Sequence, residues 1–196
     1  MPDATASLSR NPGRLAGKRV ILGVSGGIAA YKSCDLASRL VKDGAQVTAV
    51  LTRGALKFVT PYAFEALTGQ PCLTRLFKRI TPGVSAYPHI DTLKQTDLVI
   101  IAPATANFMA RAAHGLASDL LSTLMLSVRC PVILCPAMNV QMWLHPATQA
   151  NSKTCQGYGY TILGPDSGNL ACGMTGAGRM VEPPEIVESV CKRLTS

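Results

Sequence analysis

Residues 19–51 read RVILGVSGGIAAYKSCDLASRLVKDGAQVTAVL, and the changes of period inside this stretch decide the fold. Arg19 to Val24 is a short apolar run rich in β-branched residues, the pattern of a strand buried on both faces. Ser25-Gly26-Gly27 is a turn. Beyond it Ala30, Cys34, Ala37 and Val41 recur at helical spacing, Gly44 ends the helix, and Gln46 to Leu51 supplies a second strand. Strand, helix and strand of these lengths predict a βαβ unit with two parallel, neighbouring strands.

The same alternation continues outward. A short helix is expected from Pro61 to Leu67, closed by Gly69, and Pro71, Pro82, Gly83 and Pro88 then mark loops. Leu98 to Ala102 reads as a third strand, followed by helical segments from Ala106 to His114 and from Asp119 to Val128. Val132 to Cys135 and Tyr160 to Leu163 give two more strands, with a polar section between them. Residues 168–178 hold four glycines and read as a mobile loop, and Pro183-Pro184 open a final helix to about Leu194. The expected fold is α/β: a three-layer, doubly wound, Rossmann-like or flavodoxin-like sheet, mainly parallel, with helices on both faces. Residues 1–16, without an apolar period, read as a loose leader before a single domain over 17–196.

Composition excludes several classes. The 196 residues are 47% hydrophobic and 15% charged, enough apolar material for a sizeable core and against disorder. No apolar run is long enough to span a bilayer, and no repeat is visible. Lys and Arg number 19 against 11 Asp and Glu, a formal charge of +8. That excess is spread along the chain, and aromatics are only 5%, so a nucleic-acid partner is not expected. A mild attraction for anionic small molecules remains. The seven cysteines (34, 72, 130, 135, 155, 172 and 191) are odd in number and include no CxxC pair. They suggest a reduced, cytoplasmic protein with no metal site.

In a doubly wound sheet, ligands bind beyond the carboxyl ends of the strands, and each end here carries unusual residues. Ser25-Gly26-Gly27 can present backbone N–H groups at a helix start, a phosphate site. It is neither GxGxxG nor a Walker A loop, and no acidic residue closes the second strand, which favours a mononucleotide over a dinucleotide. A purely structural turn fits it about as well. Pro103-Ala104-Thr105-Ala106-Asn107 offers a hydroxyl, an amide and a helix start together, although Thr and Asn are also ordinary N-caps. Pro136-Ala137-Met138-Asn139 places an amide at the sheet edge, with plain turn chemistry as its competitor. Taken singly, His89 is more often a surface side chain than a catalyst, and Lys32 and Arg53 read as solvated. Cys172 sits among glycines in a segment with the composition of a lid, but its reactivity depends on a pKa that sequence does not supply.

Taken in order, the motifs resemble one family. Gly23-Val-Ser-Gly-Gly-Ile-Ala-Ala-Tyr-Lys32, His89-Ile90, Pro103-Ala-Thr-Ala-Asn107, Pro136-Ala-Met-Asn-Val-Gln-Met-Trp143 and Leu170-Ala-Cys-Gly-Met-Thr-Gly-Ala-Gly-Arg-Met180 are similar to those of the phosphopantothenoylcysteine decarboxylases, within the homo-oligomeric flavin-containing cysteine decarboxylases. The resemblance covers about residues 18–195. It implies FMN as cofactor and 4′-phosphopantothenoylcysteine as substrate, in coenzyme A biosynthesis. By match of motif, His89 would be the essential histidine, Cys172 the proton donor and Asn139 the ligand of the substrate carboxylate. Met142 would lie beside the substrate, as would Ala171 and Gly173 within a clamp over about 167–181. Ser25, Gly26, Gly27, Thr52, Phe58, Pro103, Thr105, Ala106, Asn107 and Ala137 would hold FMN. Gly27 replaces a serine seen in some members, so any phosphate contact there would come from backbone. The family further implies a trimer or a dodecamer, and a separately encoded phosphopantothenate-cysteine ligase, or an excised domain.

The chemistry asks for a redox cofactor on its own account. Direct loss of CO₂ from an N-acylated cysteine would leave a carbanion with no adjacent carbonyl to accept charge. Prior oxidation of the thiol-bearing carbon creates an electron sink, and the hydride can be returned afterwards while an acid protonates the other carbon. The alternatives are a decarboxylase of peptide C-terminal cysteines, against which Cys172 argues, and a non-catalytic, phosphatase-regulating subunit of the same fold, against which His89, Asn139 and Cys172 together argue.

Overall fold

The computed structural model describes residues 13–76, 93–169, 173 and 175–195. Five strands, β1 (Arg19–Val24), β2 (Gln46–Leu51), β3 (Leu98–Ala104), β4 (Val132–Pro136) and β5 (Thr161–Ile162), form one sheet in the order β2-β1-β3-β4-β5. Every pairing is parallel: Val20 stands beside Val47 and Leu98, Val99 beside Val132, and Ile133 beside Thr161. The chain leaves β1 for β2 and then returns across β1 to β3. The direction of winding therefore reverses between β1 and β3, where a crevice opens beyond the strand ends.

Seven helices flank the sheet among the described residues: α1 (Lys32–Lys42), α2 (Pro61–Thr68), α3 (Ala106–His114), α4 (Leu120–Ser127), α5 (Val140–Leu144), α6 (Pro146–Gly157) and α7 (Pro183–Leu194). Short 3-10 turns, Ile28–Tyr31 and Ala55–Lys57, follow β1 and β2. Alternate residues of each strand serve opposite faces. Leu22, Ile100 and Ile133 pack with Leu36, Leu40, Phe64 and Val190 from α1, α2 and α7. Ile21, Ile101 and Leu134 pack with Phe108, Met109, Leu121 and Leu124 from α3 and α4. With both faces covered, the strands read as unbroken apolar runs.

Three readings of the sequence are corrected. The glycine-rich segment is not a loop over its described length. Asp166–Asn169 (β6) and Thr175–Arg179 (β7) pair antiparallel as a hairpin, Gly168 facing Gly176. Its glycines serve close approach: a Cβ on Gly178 would strike the Met138 carbonyl, and one on Gly176 would lie 2.9 Å from Val140 Cγ2. The end of the supposed loose leader, residues 13–16, is packed. Leu15 is fully buried, its N–H donates to the Asp43 carbonyl at 2.8 Å, and Arg14 pairs with Asp43 and Glu188. Lys32, read as solvated, is mostly covered and ion-paired with Glu182. The polar middle section holds α5 and α6. The buried side of α6 is Thr148, Ser152 and Cys155, small and largely polar side chains that carry no hydrophobic period.

Ile100 lies at the centre of the sheet with no exposed surface, paired with Leu22 of β1. Ile100→Ala is expected to cost about 2–5 kcal/mol of unfolding free energy, measured by denaturant titration. Lys153→Ala, on the exposed side of α6, should stay within about 0.5 kcal/mol.

Candidate functional site

The turns after β1 and β3 are tied by one hydroxyl. Ser25, 2% exposed, donates from Oγ to the Pro103 carbonyl at 2.7 Å and accepts from the Thr105 N–H at 3.0 Å. Thr105 in turn N-caps α3, its Oγ1 accepting from the Phe108 N–H at 3.3 Å. The first N–H groups of α3 have no carbonyl partner within the helix, so its start suits an anion. On the other side the β1 turn touches the β2 turn: a Cβ on Gly26 would lie 2.6 Å from the Gly54 carbonyl carbon. Glycine is the residue that lets the two backbones meet. Thr52 completes this corner, its Oγ1 accepting from the Ala55 N–H at 3.2 Å.

The turn after β4 closes the opposite wall. Asn139 N-caps α5, Oδ1 accepting from the Met142 N–H at 2.7 Å. Its carbonyl oxygen is thereby engaged, and its amide NH₂ is left to serve a ligand. The Met138 N–H donates to the Gly178 carbonyl at 3.0 Å, fastening this turn to β7.

These turns enclose a cleft of about 770 Å³ at the reversal point between β1 and β3, within the usual range for small-molecule sites. Its wall combines apolar side chains, among them Ile28, Phe108, Met138, Met142 and Met180, with four cations, Lys32, Arg53, Arg111 and Arg179. Asp119 is the acidic residue in that wall, and it is occupied: Arg111 Nη1 donates to Oδ2 at 2.7 Å and the Ser122 N–H to Oδ1 at 2.8 Å, in the capping box of α4. Glu182, just behind the wall, is held below the usual carboxylate range chiefly by the hydrogen bond from Lys32. The balance favours an anionic ligand with a flat or apolar body.

Of the residues singled out from sequence, Ser25, Gly26, Gly27, Thr52, Thr105, Asn107, Ala137, Asn139 and Met142 line this cleft. Phe58 lies outside the wall and is exposed, while Pro103 is buried in β3 and contributes its carbonyl to Ser25. Ala106 and Gly173 are not among the residues that line the wall, and Gly173 is exposed. His89, Ala171 and Cys172 lie outside the described residues. Sequence reasoning missed Arg111 and Arg179 and dismissed Lys32 and Arg53. The available signal was position: each cation stands within a few residues of a strand end or on the first helix turns beside it. Among the described residues no group of three His, Cys, Asp or Glu side chains could hold a metal. Burial pushes the Cys135 thiol up, and the Cys155 thiol up to about 11, so both pack as inert, protonated side chains.

The family model described as Flavoprotein matches residues 8–195. The chain belongs to the flavoprotein family. The coenzyme A biosynthesis bifunctional protein CoaBC of Vibrio cholerae is 48% identical over 174 residues, covering 88% of this chain and 43% of the relative. The chain thus spans less than half the length of that curated relative. Among solved structures, a PPC decarboxylase cysteine-to-serine mutant complexed with pantothenoylaminoethenethiol superimposes with a TM-score of 0.81 at 29% identity. It covers 91% of this chain and 99% of that one. The FMN-dependent cysteine decarboxylase SpaF gives 0.78 at 28% identity, with coverage of 93% and 99%.

The Ser25 hydroxyl generates a direct expectation. Ser25→Ala strands the part-buried Thr105 N–H and leaves the Pro103 carbonyl only the Ser25 backbone N–H at 3.3 Å, which should destabilise the fold by about 1–3 kcal/mol. Denaturant titration measures it, and an unchanged midpoint would remove the hydroxyl from this role.

Proposed function

We propose that this chain is an FMN-dependent carboxy-lyase that converts 4′-phosphopantothenoylcysteine to 4′-phosphopantetheine in coenzyme A biosynthesis. The observation that carries the reading is the Asn139 corner: a neutral amide donor, its oxygen already capped, beside an apolar wall in a cleft with surplus positive charge. Relatives and structural neighbours of the kinds described above support it.

The cleft fits a flavin mononucleotide. Gly26, Gly27 and Thr52 and the start of α3 at Thr105–Asn107 would take its phosphate through backbone and hydroxyl donors, and the apolar wall would take its ring system. When bound, FMN supplies a reversible hydride acceptor for the thiol-bearing carbon, so no nicotinamide is consumed. The chain's own residues do the rest. Asn139 Nδ2–H would hold the substrate carboxylate without placing a full charge against it. A neutral donor suits a group that leaves as uncharged CO₂, because stabilising the carboxylate itself would slow its loss. The Met side chains exclude water. Cys172 would deliver the proton to the carbon that loses CO₂, and His89 would serve the substrate thiol or orient it. One proton is taken up and one CO₂ released per turnover, with no net oxidation. Exposed Ile28, Tyr31, Leu56, Phe58 and Tyr62 cluster on the segments following β1 and β2. Exposed apolar side chains on these two segments support burial against further copies of the chain, as a trimer or a multiple of it. No helix among the described residues is long and apolar enough to cross a membrane, in keeping with a cytoplasmic setting.

The deciding assay is CO₂ release from 4′-phosphopantothenoylcysteine by purified, FMN-loaded protein, with a cysteine-ended peptide as comparison. A folded protein that binds no FMN, or that acts on the peptide alone, would overturn the reading. Asn139→Asp keeps the cap on α5, since Asp caps as well as Asn. It sets a carboxylate against a carboxylate, and should raise KM for the substrate at least tenfold while FMN remains bound. Near-normal KM would refute the role.

Cys172→Ser separates the two halves of the reaction. A serine hydroxyl is a far weaker acid than a thiol, so CO₂ loss should proceed while the final protonation stalls. Anaerobic mixing should then give persistent flavin bleaching and a product two hydrogens lighter than 4′-phosphopantetheine. Full conversion at a normal rate would assign the proton to another group.

A further inference from the structure

Glu182 occupies the N-cap position of α7, yet its side chain makes no capping hydrogen bond. The two residues that follow are Pro183 and Pro184, which have no backbone N–H. The helix start therefore presents fewer donors, and the carboxylate is free for another task. It turns to two cations of the cleft wall. Oε1 accepts from Lys32 Nζ at 2.7 Å and from Arg179 Nη2 at 2.8 Å. Lys32 opens α1 and Arg179 ends β7, so one carboxylate oxygen draws together cations from two separate elements. Both cations line the cleft.

The group is left with unspent capacity. Two cations against one carboxylate leave a net positive charge, and the depressed pKa of Glu182 keeps that carboxylate ionised. Lysine carries three N–H donors and arginine five. Among the described residues, each makes a single hydrogen bond, to Glu182. Arg179 Nε is shielded from solvent and has no acceptor, the one such buried side-chain atom among the described residues. Buried donors are rarely left unpaired, and this one belongs to a guanidinium at the edge of an anion-attracting cleft.

The decarboxylase reading offers three anions for this wall. The flavin phosphate has the neutral donors of the β1 turn and the α3 start. The substrate carboxylate must shed its charge as CO₂, and two cations beside it would stabilise the ground state more than the transition state. The substrate phosphate keeps its charge from binding to release, so strong cationic contact with it raises affinity without opposing the chemistry. We propose that Lys32 and Arg179, held side by side by Glu182, form the subsite for the terminal phosphate of the substrate. This rests on the decarboxylase reading and adds to it the residues that select the phosphorylated substrate.

The test compares 4′-phosphopantothenoylcysteine with pantothenoylcysteine, its dephosphorylated form, using FMN-loaded protein. Wild type should show a much higher kcat/KM for the phosphorylated compound. In Lys32→Gln that preference should fall about tenfold or more, the scale of one charge-assisted hydrogen bond lost, and Lys32→Arg should recover most of it. Arg179→Gln gives a second, independent variant should the first fold poorly, and flavin content and FMN Kd report on fold and cofactor site. A fallen preference with unchanged FMN Kd supports the subsite. A weakened FMN Kd, or equal losses on both substrates, would overturn it by assigning the cations to the flavin or to the scaffold. Equal kcat/KM for the two compounds in wild type would overturn this proposal alone. Turnover of neither compound would overturn the decarboxylase reading, and the phosphate subsite with it.

Discussion

The hydroxyl of Ser25 joins the ends of the two strands between which the winding reverses, and the cleft depends on that joint. A parallel sheet leaves its carboxyl ends open, because each strand end must lead into a turn toward one face or the other. At β1 and β3 the turns depart, and their backbone groups would face a widening gap. Ser25 closes it by donating to Pro103 and accepting from Thr105. The start of α3 is then fixed against the β1 turn, and the approach of Gly26 to Gly54 fixes the β2 turn on the other side. Three independent chain segments thus share one rigid floor. Rigidity there matters because hydrogen-bond donors bind an anion strongly only when they need no rearrangement to meet it.

Charge is distributed over this floor with some economy. The donors at its centre are neutral: backbone N–H groups, the Thr105 and Thr52 hydroxyls and the Asn139 amide. The full charges stand at the walls, and three of the four cations are pre-paired, Arg111 with Asp119, and Lys32 and Arg179 both with Glu182. Pairing lowers the cost of holding cations beside an apolar surface, and it fixes where their remaining N–H groups point. Unpaired lysines and arginines on flexible stems would lose more conformational freedom on binding a ligand.

Much of this was legible in the chain. The central strands were plain because burial on both faces makes Val20–Val24 and Leu98–Ala102 unbroken apolar runs, and the site turns were plain because they follow such runs. Asn139 was legible as an amide at a sheet edge. Its two readings, turn chemistry and ligand, are compatible: one atom caps α5 and the other remains available. What the sequence hid has specific causes. α6 buries Thr148, Ser152 and Cys155, so its packed face carries no apolar period. The hairpin of β6 and β7 was hidden because glycine density signals flexibility when read alone, whereas here it marks a strand pressed against the Met138 carbonyl and Val140. Lys32 was misread because its partner, Glu182, lies 150 residues away, and no local pattern reports an ion pair closed by the tertiary fold.

That hairpin also joins the two walls of the cleft. β7 is fastened to the Asn139 turn by the hydrogen bond from Met138 to Gly178 and by the contact of Gly176 with Val140. Through Arg179 and Glu182 it is fastened to Lys32 and hence to α1. A ligand pressing on either wall therefore presses on the same short strand. Without a side chain at Gly176 or Gly178, that strand can lie against the Val140 side chain and the Met138 carbonyl. A bulkier residue at either position would push the hairpin away from the Asn139 turn, and the two walls would lose the strand that they share.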